Sequence, residues 1–132
     1  MSEYKRIINL KTENKTKSLF LFGPRQTGKT FLLKREFPDS SYYNLLKSDL
    51  FLRLSNRPSV IREELIAAKG KLKQPVIIDE IQKLPILLDE VHYLIEELGI
   101  KFILTGSCPR KLRHGNVNLL GGRARTRYLF PL

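Results

Sequence analysis

One eight-residue string, Gly23 to Thr30, constrains the fold of this chain more than any other feature. It reads GPRQTGKT and fits the pattern G-x-x-x-x-G-K-[ST]. The apolar run Leu19 to Phe22 has the character of a buried strand and precedes the string, and a predicted helix, Thr30 to Glu36, follows it. A glycine-bracketed loop between a strand and a helix turns its backbone N–H groups towards phosphate oxygens. The string therefore predicts a phosphate-binding loop, called the phosphate loop below.

Each residue of the phosphate loop is a candidate for contact with a nucleotide. The Lys29 ammonium is expected to reach the β- and γ-phosphates, and the Thr30 hydroxyl is expected to bind Mg²⁺. The alternative interpretation is a glycine turn that carries a surface lysine. The predicted nucleotide-binding residues are Gly23, Pro24, Arg25, Gln26, Thr27, Gly28, Lys29 and Thr30.

Two carboxylates, Asp79 and Glu80, end a second predicted strand that begins at Val76. The carboxyl ends of parallel strands form the edge where ligands bind in α/β sheets, so this is the placement of a Walker B motif. We expect Asp79 to hold Mg²⁺ and Glu80 to be the general base for an attacking water. Carboxylates also end strands merely for solvation, so this interpretation depends on the phosphate loop.

Two further residues are candidates for the chemical step. Thr105 ends a predicted strand that begins at Lys101, where its hydroxyl could sense the γ-phosphate; the alternative is a hydroxyl that caps its own loop. Arg123 follows two glycines and is the best candidate for a cation that stabilises transition-state charge. The alternative for Arg123 and the alternating arginines that follow it is a solvated basic sheet edge.

The rest of the chain alternates between predicted strands and helices. Further strands are expected at Ser41 to Asn44 and at Arg125 to Phe130, and the clearest amphipathic helix runs from Leu87 to Leu98. A helix is expected after Pro58, with an apolar face of Ile61, Leu65 and Ala68, and a short helix is expected within residues 1–10. This alternation predicts an α/β fold with a mostly parallel, five-stranded sheet flanked by helices.

Length, charge and cysteine content narrow the protein class. The 132 residues suffice for one domain, and 24 Lys and Arg against 13 Asp and Glu give a formal charge of +11. No acidic residue follows Glu97, so the basic C-terminal third must meet phosphates, solvent or an acidic partner. The apolar runs are far shorter than the ~20 residues that cross a bilayer. A single cysteine fits a reducing compartment, so we expect a cytoplasmic protein without a membrane partner.

Five strings together resemble a known family: GPRQTGKT, VIIDEIQKLP, FILTGS, NLLGGRA and LFPL. In order and spacing they are similar to the bacterial and archaeal AAA-type ATPases that carry a C-terminal DUF4143 domain. The resemblance implies a P-loop NTPase fold of the ASCE type, with ATP and Mg²⁺ as ligands. It implies the roles given above for the phosphate loop, Asp79, Glu80, Thr105 and Arg123, and it includes Gln82 without a derived role.

Members of that family continue beyond the LFPL string into a helical region and the DUF4143 domain. The resemblance therefore implies that residues 1–132 correspond to the ATPase core, without its C-terminal lid, and that a C-terminal domain or a protein partner raises a low rate of ATP hydrolysis. A GTPase is disfavoured because the chain has no N-K-x-D string, and a kinase would not need Glu80 beside Asp79. The alternative function is a non-catalytic nucleotide- or nucleic-acid-binding remnant that uses the basic C-terminal third.

Overall fold

A computed structural model describes residues 18–23, 28–107 and 124–128, the last of these by their backbone alone. Five strands lie in these ranges: β1 (Ser18–Phe22), β2 (Tyr42–Asn44), β3 (Val76–Asp79), β4 (Phe102–Gly106) and β5 (Ala124–Tyr128). The helices are α1 (Lys29–Glu36), α2 (Ser48–Asn56), α3 (Ser59–Ala67) and α4 (Leu87–Leu98). Short 3₁₀ turns occur at Lys69–Lys71 and Ile81–Lys83. The helix predicted within residues 1–10 lies outside the described residues.

The strands form one sheet in the order β2-β3-β4-β1-β5, and every pairing in it is parallel. β1 therefore lies between β4 and β5. The parallel sheet flanked by helices confirms the predicted α/β class. The helix expected after Pro58 is α3, which buries Ile61 and Leu65 but ends before Ala68. Helix α2 was not predicted.

Both faces of the sheet are buried at β1, β3 and β4, and side chains alternate between the faces along these strands. On one face, Leu19, Leu21, Ile77 and Ile103 pack against Leu32 and Leu33 of α1. On the other, Phe20, Phe22, Ile78, Phe102 and Leu104 belong to a larger core with buried residues of α2, α3 and α4. Helices therefore pack on both faces of the sheet, and this packing positions the ends of the central strands.

The carboxyl ends of β1, β3 and β4 meet at one edge of the sheet, here called the site edge. The Gly23 N–H, just after β1, donates to the Gly106 carbonyl oxygen at the end of β4 (3.1 Å). Gly28, at the start of α1, has φ of 82°, a left-handed conformation that glycine adopts without steric cost. The ends of the phosphate loop are therefore anchored at the site edge.

In the described part of the chain, no helix has both the length and the apolar character that a membrane span requires.

Candidate active site

Lys29 is the buried cation of the site edge. Lys29 is the first residue of α1 and is only 2% exposed. The Nζ atom donates to the Gly23 carbonyl oxygen at 2.6 Å and lies 3.9 Å from Oε1 of Glu80. A buried charge is stable only when it is paired and hydrogen-bonded. Lys29 therefore links the two ends of the phosphate loop to the Glu80 carboxylate, which follows β3.

Asp79 is the acceptor on which three different elements converge. It is 1% exposed. Its Oδ2 accepts hydrogen bonds from the Thr30 hydroxyl of α1 (2.8 Å) and the Tyr42 hydroxyl of β2 (2.5 Å), and its Oδ1 accepts one from the Thr105 hydroxyl of β4 (2.5 Å). These hydrogen bonds pay part of the desolvation cost of a buried carboxylate. The carboxylate is therefore held in one orientation beside the Thr30 hydroxyl.

Glu80 leaves the end of β3 in a strained backbone conformation. Its φ of 64° is in the left-handed region, which costs a non-glycine residue roughly 1–3 kcal/mol. Its N–H donates to the Thr105 hydroxyl at 3.1 Å, so that hydroxyl bridges the two acidic residues. Strain of this kind persists only where the surroundings fix it, and it is concentrated at functional sites.

The Glu80 carboxylate is 3% exposed and is held from three sides. Gln82 Nε2 donates to its Oε2. The Ser107 hydroxyl lies 3.1 Å from Oε2 and 3.4 Å from Oε1, and Lys29 supplies the ion pair. The carboxylate is therefore anchored at a fixed position near the phosphate loop.

Tyr42 connects the site edge to a pocket at the outer strand of the sheet. Burial, reinforced by the hydrogen bond to Asp79, raises the pKa of the Tyr42 phenol far above its usual value, so the hydroxyl remains a donor. The Lys34 ammonium lies 5.4 Å from the centre of the Tyr42 ring. Both residues line a pocket of about 560 Å³ whose lining also includes Lys47, Asp49 and Arg53.

The structure brings together five of the predicted site residues: Lys29, Thr30, Asp79, Glu80 and Thr105. The Thr105 hydroxyl bonds across the sheet rather than to its own loop. Among the other predicted residues, Gly23 and Gly28 lie at the loop ends, and Pro24, Arg25, Gln26, Thr27 and Arg123 lie outside the described residues.

Sequence reasoning missed three contributors to the site. Tyr42 lies on β2, and the only sequence signal for its role was the predicted strand at Ser41 to Asn44. Ser107 follows Thr105 by two residues, so the strand-end argument could have been extended to it. Gln82 was noticed only as part of a string, and its amide contact with Glu80 gives it a place in the site.

Comparison with models of protein families gives a match that spans most of the chain. A family model described as AAA domain matches residues 15–132. No curated protein matches the sequence. The matched range includes every side chain at the site edge.

Proposed function

Because this chain belongs to the AAA domain family, we propose that it binds ATP at the site edge and hydrolyses it with Mg²⁺. The observation that carries the proposal is the 2.8 Å hydrogen bond between Thr30 at the start of α1 and Asp79 at the end of β3. It joins the helix that follows the phosphate loop to the acidic strand end. The remaining side chains of the site supply a cation, a second carboxylate and a hydroxyl around that contact.

The phosphates of ATP would meet Lys29 and the N-terminal end of α1. Backbone N–H groups at a helix N-terminus attract anions, and a lysine there adds a full positive charge. Lys29 donates to Gly23 and pairs with Glu80. The Lys29 ammonium has three N–H groups, so it can donate to phosphate oxygens in addition to these two partners.

Thr30 and Asp79 are suited to hold Mg²⁺. Their oxygen atoms lie side by side, and Mg²⁺ prefers oxygen ligands. The described residues contain no group of three or more His, Cys, Asp or Glu side chains that could hold a metal. In phosphate-transfer enzymes Mg²⁺ is usually held by one or two carboxylates together with the substrate phosphates.

Charge balance supports the same ligand. Among the buried side chains that the structure describes at the site edge, one is basic, Lys29, and two are acidic, Asp79 and Glu80, so acidic groups outnumber basic groups there by one. Uncompensated buried charge is costly. When bound, Mg²⁺ neutralises charge on the β- and γ-phosphates during transfer.

Glu80 would act as the general base. Water attacks the γ-phosphorus, the bond from that phosphorus to the oxygen bridging to the β-phosphate breaks, and the water proton passes to the Glu80 carboxylate. The products are ADP and inorganic phosphate. Thr105 binds both acidic residues, so it would keep the base and the Mg²⁺ ligand in a constant relation to each other.

The role of Arg123 draws no support from the strand register. β5 runs parallel to β1 and begins with Ala124 opposite Ser18, at the edge of the sheet remote from the phosphate loop. Ser18 and Phe22 are four residue steps apart along β1, which is about 13 Å at the usual rise per residue. A contribution of Arg123 to charge stabilisation therefore remains a prediction.

Nucleotide binding tests the proposal. Titration calorimetry with ATP and GTP, each with and without Mg²⁺, should show binding of ATP that Mg²⁺ strengthens. Lys29→Ala should abolish it, because one buried cation is lost and Glu80 loses its ion pair. Lys71→Ala removes the same charge from an exposed 3₁₀ turn and is the matched control. Equal binding by the two variants would refute the assignment of Lys29 to the phosphates.

A further inference from the structure

The side-chain amide of Gln82 has a hydrogen-bonded nitrogen and an oxygen without a hydrogen-bond partner among the described residues. The side chain is buried, with 9% of its surface exposed. Nε2 donates to Oε2 of Glu80, whereas no donor from the described residues reaches the buried Oε1. Exchanging the amide nitrogen and oxygen would place two acceptors, the amide oxygen and the carboxylate, against each other. This repulsion fixes the orientation of the amide.

The position of this oxygen depends on a glycine. A Cβ atom on Gly106 would lie 2.7 Å from Gln82 Oε1, so a larger residue there would displace the amide. Gly106 ends β4 and pairs with Phe22, the residue immediately before the phosphate loop. The oxygen therefore lies against the end of β4, beside the point where β1 leads into the phosphate loop, and it belongs to the amide group that also contacts Glu80.

A buried acceptor without a donor destabilises a folded protein and calls for an explanation. We propose that Gln82 is a positioning residue that orients the attacking water through Oε1, an inference that rests on the proposed hydrolysis of ATP. The water donates one hydrogen to the Glu80 carboxylate and the other to Gln82 Oε1. With both hydrogens engaged, a lone pair of the water oxygen faces the γ-phosphorus.

A comparison with Ser107 distinguishes orientation of the water from mere positioning of the Glu80 carboxylate. The Ser107 hydroxyl also reaches the Glu80 carboxylate, at 3.1 Å from Oε2, so the carboxylate keeps a donor when Gln82 is replaced. The Ser107 side chain carries a hydroxyl and no carbonyl oxygen. Gln82 is therefore distinguished by its acceptor, and variants of the two residues should behave differently.

The experiment compares Gln82→Met, which keeps the volume of the side chain and removes both polar ends, with Ser107→Ala. Gln74→Met is the matched control, because Gln74 is an exposed glutamine whose Oε1 accepts from the Lys101 N–H, before the start of β4. ATP affinity is measured by calorimetry. Cleavage is measured as a single turnover of labelled ATP by excess protein, which makes slow rates accessible.

We expect Gln82→Met to bind ATP within about twofold of the unaltered protein and to cleave it about 10- to 100-fold more slowly, the factor for one lost hydrogen bond to a reacting group. Ser107→Ala should lower the rate less, and Gln74→Met should leave it unchanged. In a Glu80→Gln background, Gln82→Met should cause little further loss, because the two residues act on one water.

Several results would overturn the inference. An unchanged or increased rate in Gln82→Met would show that the amide does not orient water, and an increase would mean that it restrains Glu80 instead. Unfolding of both Gln82→Met and Gln82→Ala, seen by circular dichroism, would give Gln82 a structural role. Binding of ATP without any cleavage by the unaltered protein would refute hydrolysis itself, whereas normal cleavage with an unaffected Gln82 variant would refute this inference alone.

Discussion

Removal of the Tyr42 hydroxyl should destabilise the protein measurably. Tyr42→Phe deletes one of three donors to Asp79, a carboxylate that is 1% exposed. A hydrogen bond to a charged group contributes about 1.5–3 kcal/mol to stability. Most of the loss on its removal comes from leaving the buried acceptor without a donor. Because Tyr42 is only half-buried, water can replace part of the bond. We expect a loss of about 1–2 kcal/mol in the free energy of unfolding.

Thermal unfolding followed by circular dichroism at neutral pH measures this loss. For 132 residues the entropy of unfolding is about 0.28 kcal/mol/K, so the expected decrease in Tm is about 4–7 °C. A urea titration should give the same free energy with an unchanged m-value, because the substitution does not alter the surface exposed on unfolding.

The neighbouring residue provides a matched control. Tyr43→Phe removes the same atom, but the Tyr43 hydroxyl donates to Glu64 at 3.0 Å in an exposed hydrogen bond. Glu64 also keeps its ion pair with Arg53, at 2.5 Å. The expected loss is below about 1 kcal/mol, as for other exposed polar pairs. Equal losses in the two variants, or no loss in Tyr42→Phe, would refute the argument that burial of Asp79 gives the Tyr42 bond its strength.

Three other perturbations test separate parts of the structure. Gly106→Ala should cost about 1–3 kcal/mol in urea unfolding, since the end of the Gln82 side chain can move but the buried Phe22 ring, 3.2 Å from the added Cβ, must also shift. It should also slow ATP cleavage as Gln82→Met does, and a normal rate would contradict the argument that this Cβ displaces the Gln82 amide. Thr105→Val should lower the free energy of unfolding in urea by about 2–4 kcal/mol, because Oδ1 of Asp79 and the N–H of Glu80 both lose their partner. A loss below about 0.5 kcal/mol would contradict the claim that this hydroxyl bridges the two acidic residues. The raised pKa values of Tyr42 and Tyr43 mean that the folded chain keeps two protons that the unfolded chain releases near pH 10. Stability should therefore fall as pH rises above about 10, and an ultraviolet titration at about pH 11 should find fewer ionised phenols in the folded than in the unfolded protein.

The apolar runs made the central part of the fold predictable. Three apolar runs are fully buried in β1, β3 and β4: Leu19 to Phe22, Val76 to Ile78 and Phe102 to Leu104. The residues that follow them, Gly23, Asp79 and Thr105, all lie at the site edge. Because parallel strands end on the same side of a sheet, the convergence of Lys29 and Asp79 followed from local patterns alone.

Helix α2 escaped prediction because it is short and its apolar residues include a consecutive run, even though they favour one side of the helix. Three of them, at positions 50–52, are consecutive, and Leu52 is 58% exposed whereas Leu54 is fully buried. The helix has nine residues, too short for its period to be distinguished from a run. Its burial depends on contact with α3, which is tertiary information.

The finer structure of the site depends on strand order and backbone conformation. Tyr42 reaches Asp79 because β2 pairs with β3 in a register that places Asn44 opposite Asp79, and neither the neighbour nor the register is written in local periodicity. The left-handed backbone of Glu80 has no local signal either, since glutamate is not among the residue types enriched in that conformation. The position of the Gln82 amide follows from that turn and from the absence of a Cβ on Gly106.

The cleavage of bound ATP by the unaltered protein and by Glu80→Gln tests the central claim most directly. Calorimetry should first show that both proteins bind ATP with Mg²⁺, because Lys29 and Thr30 are intact in the variant. Single-turnover measurement should then show ADP and phosphate formed by the unaltered protein and a rate about 10²- to 10⁴-fold lower in Glu80→Gln, the usual loss when a general base is removed. Cleavage by Glu80→Gln at the unaltered rate would contradict the claim that the site edge is an ATPase site with Glu80 as its base.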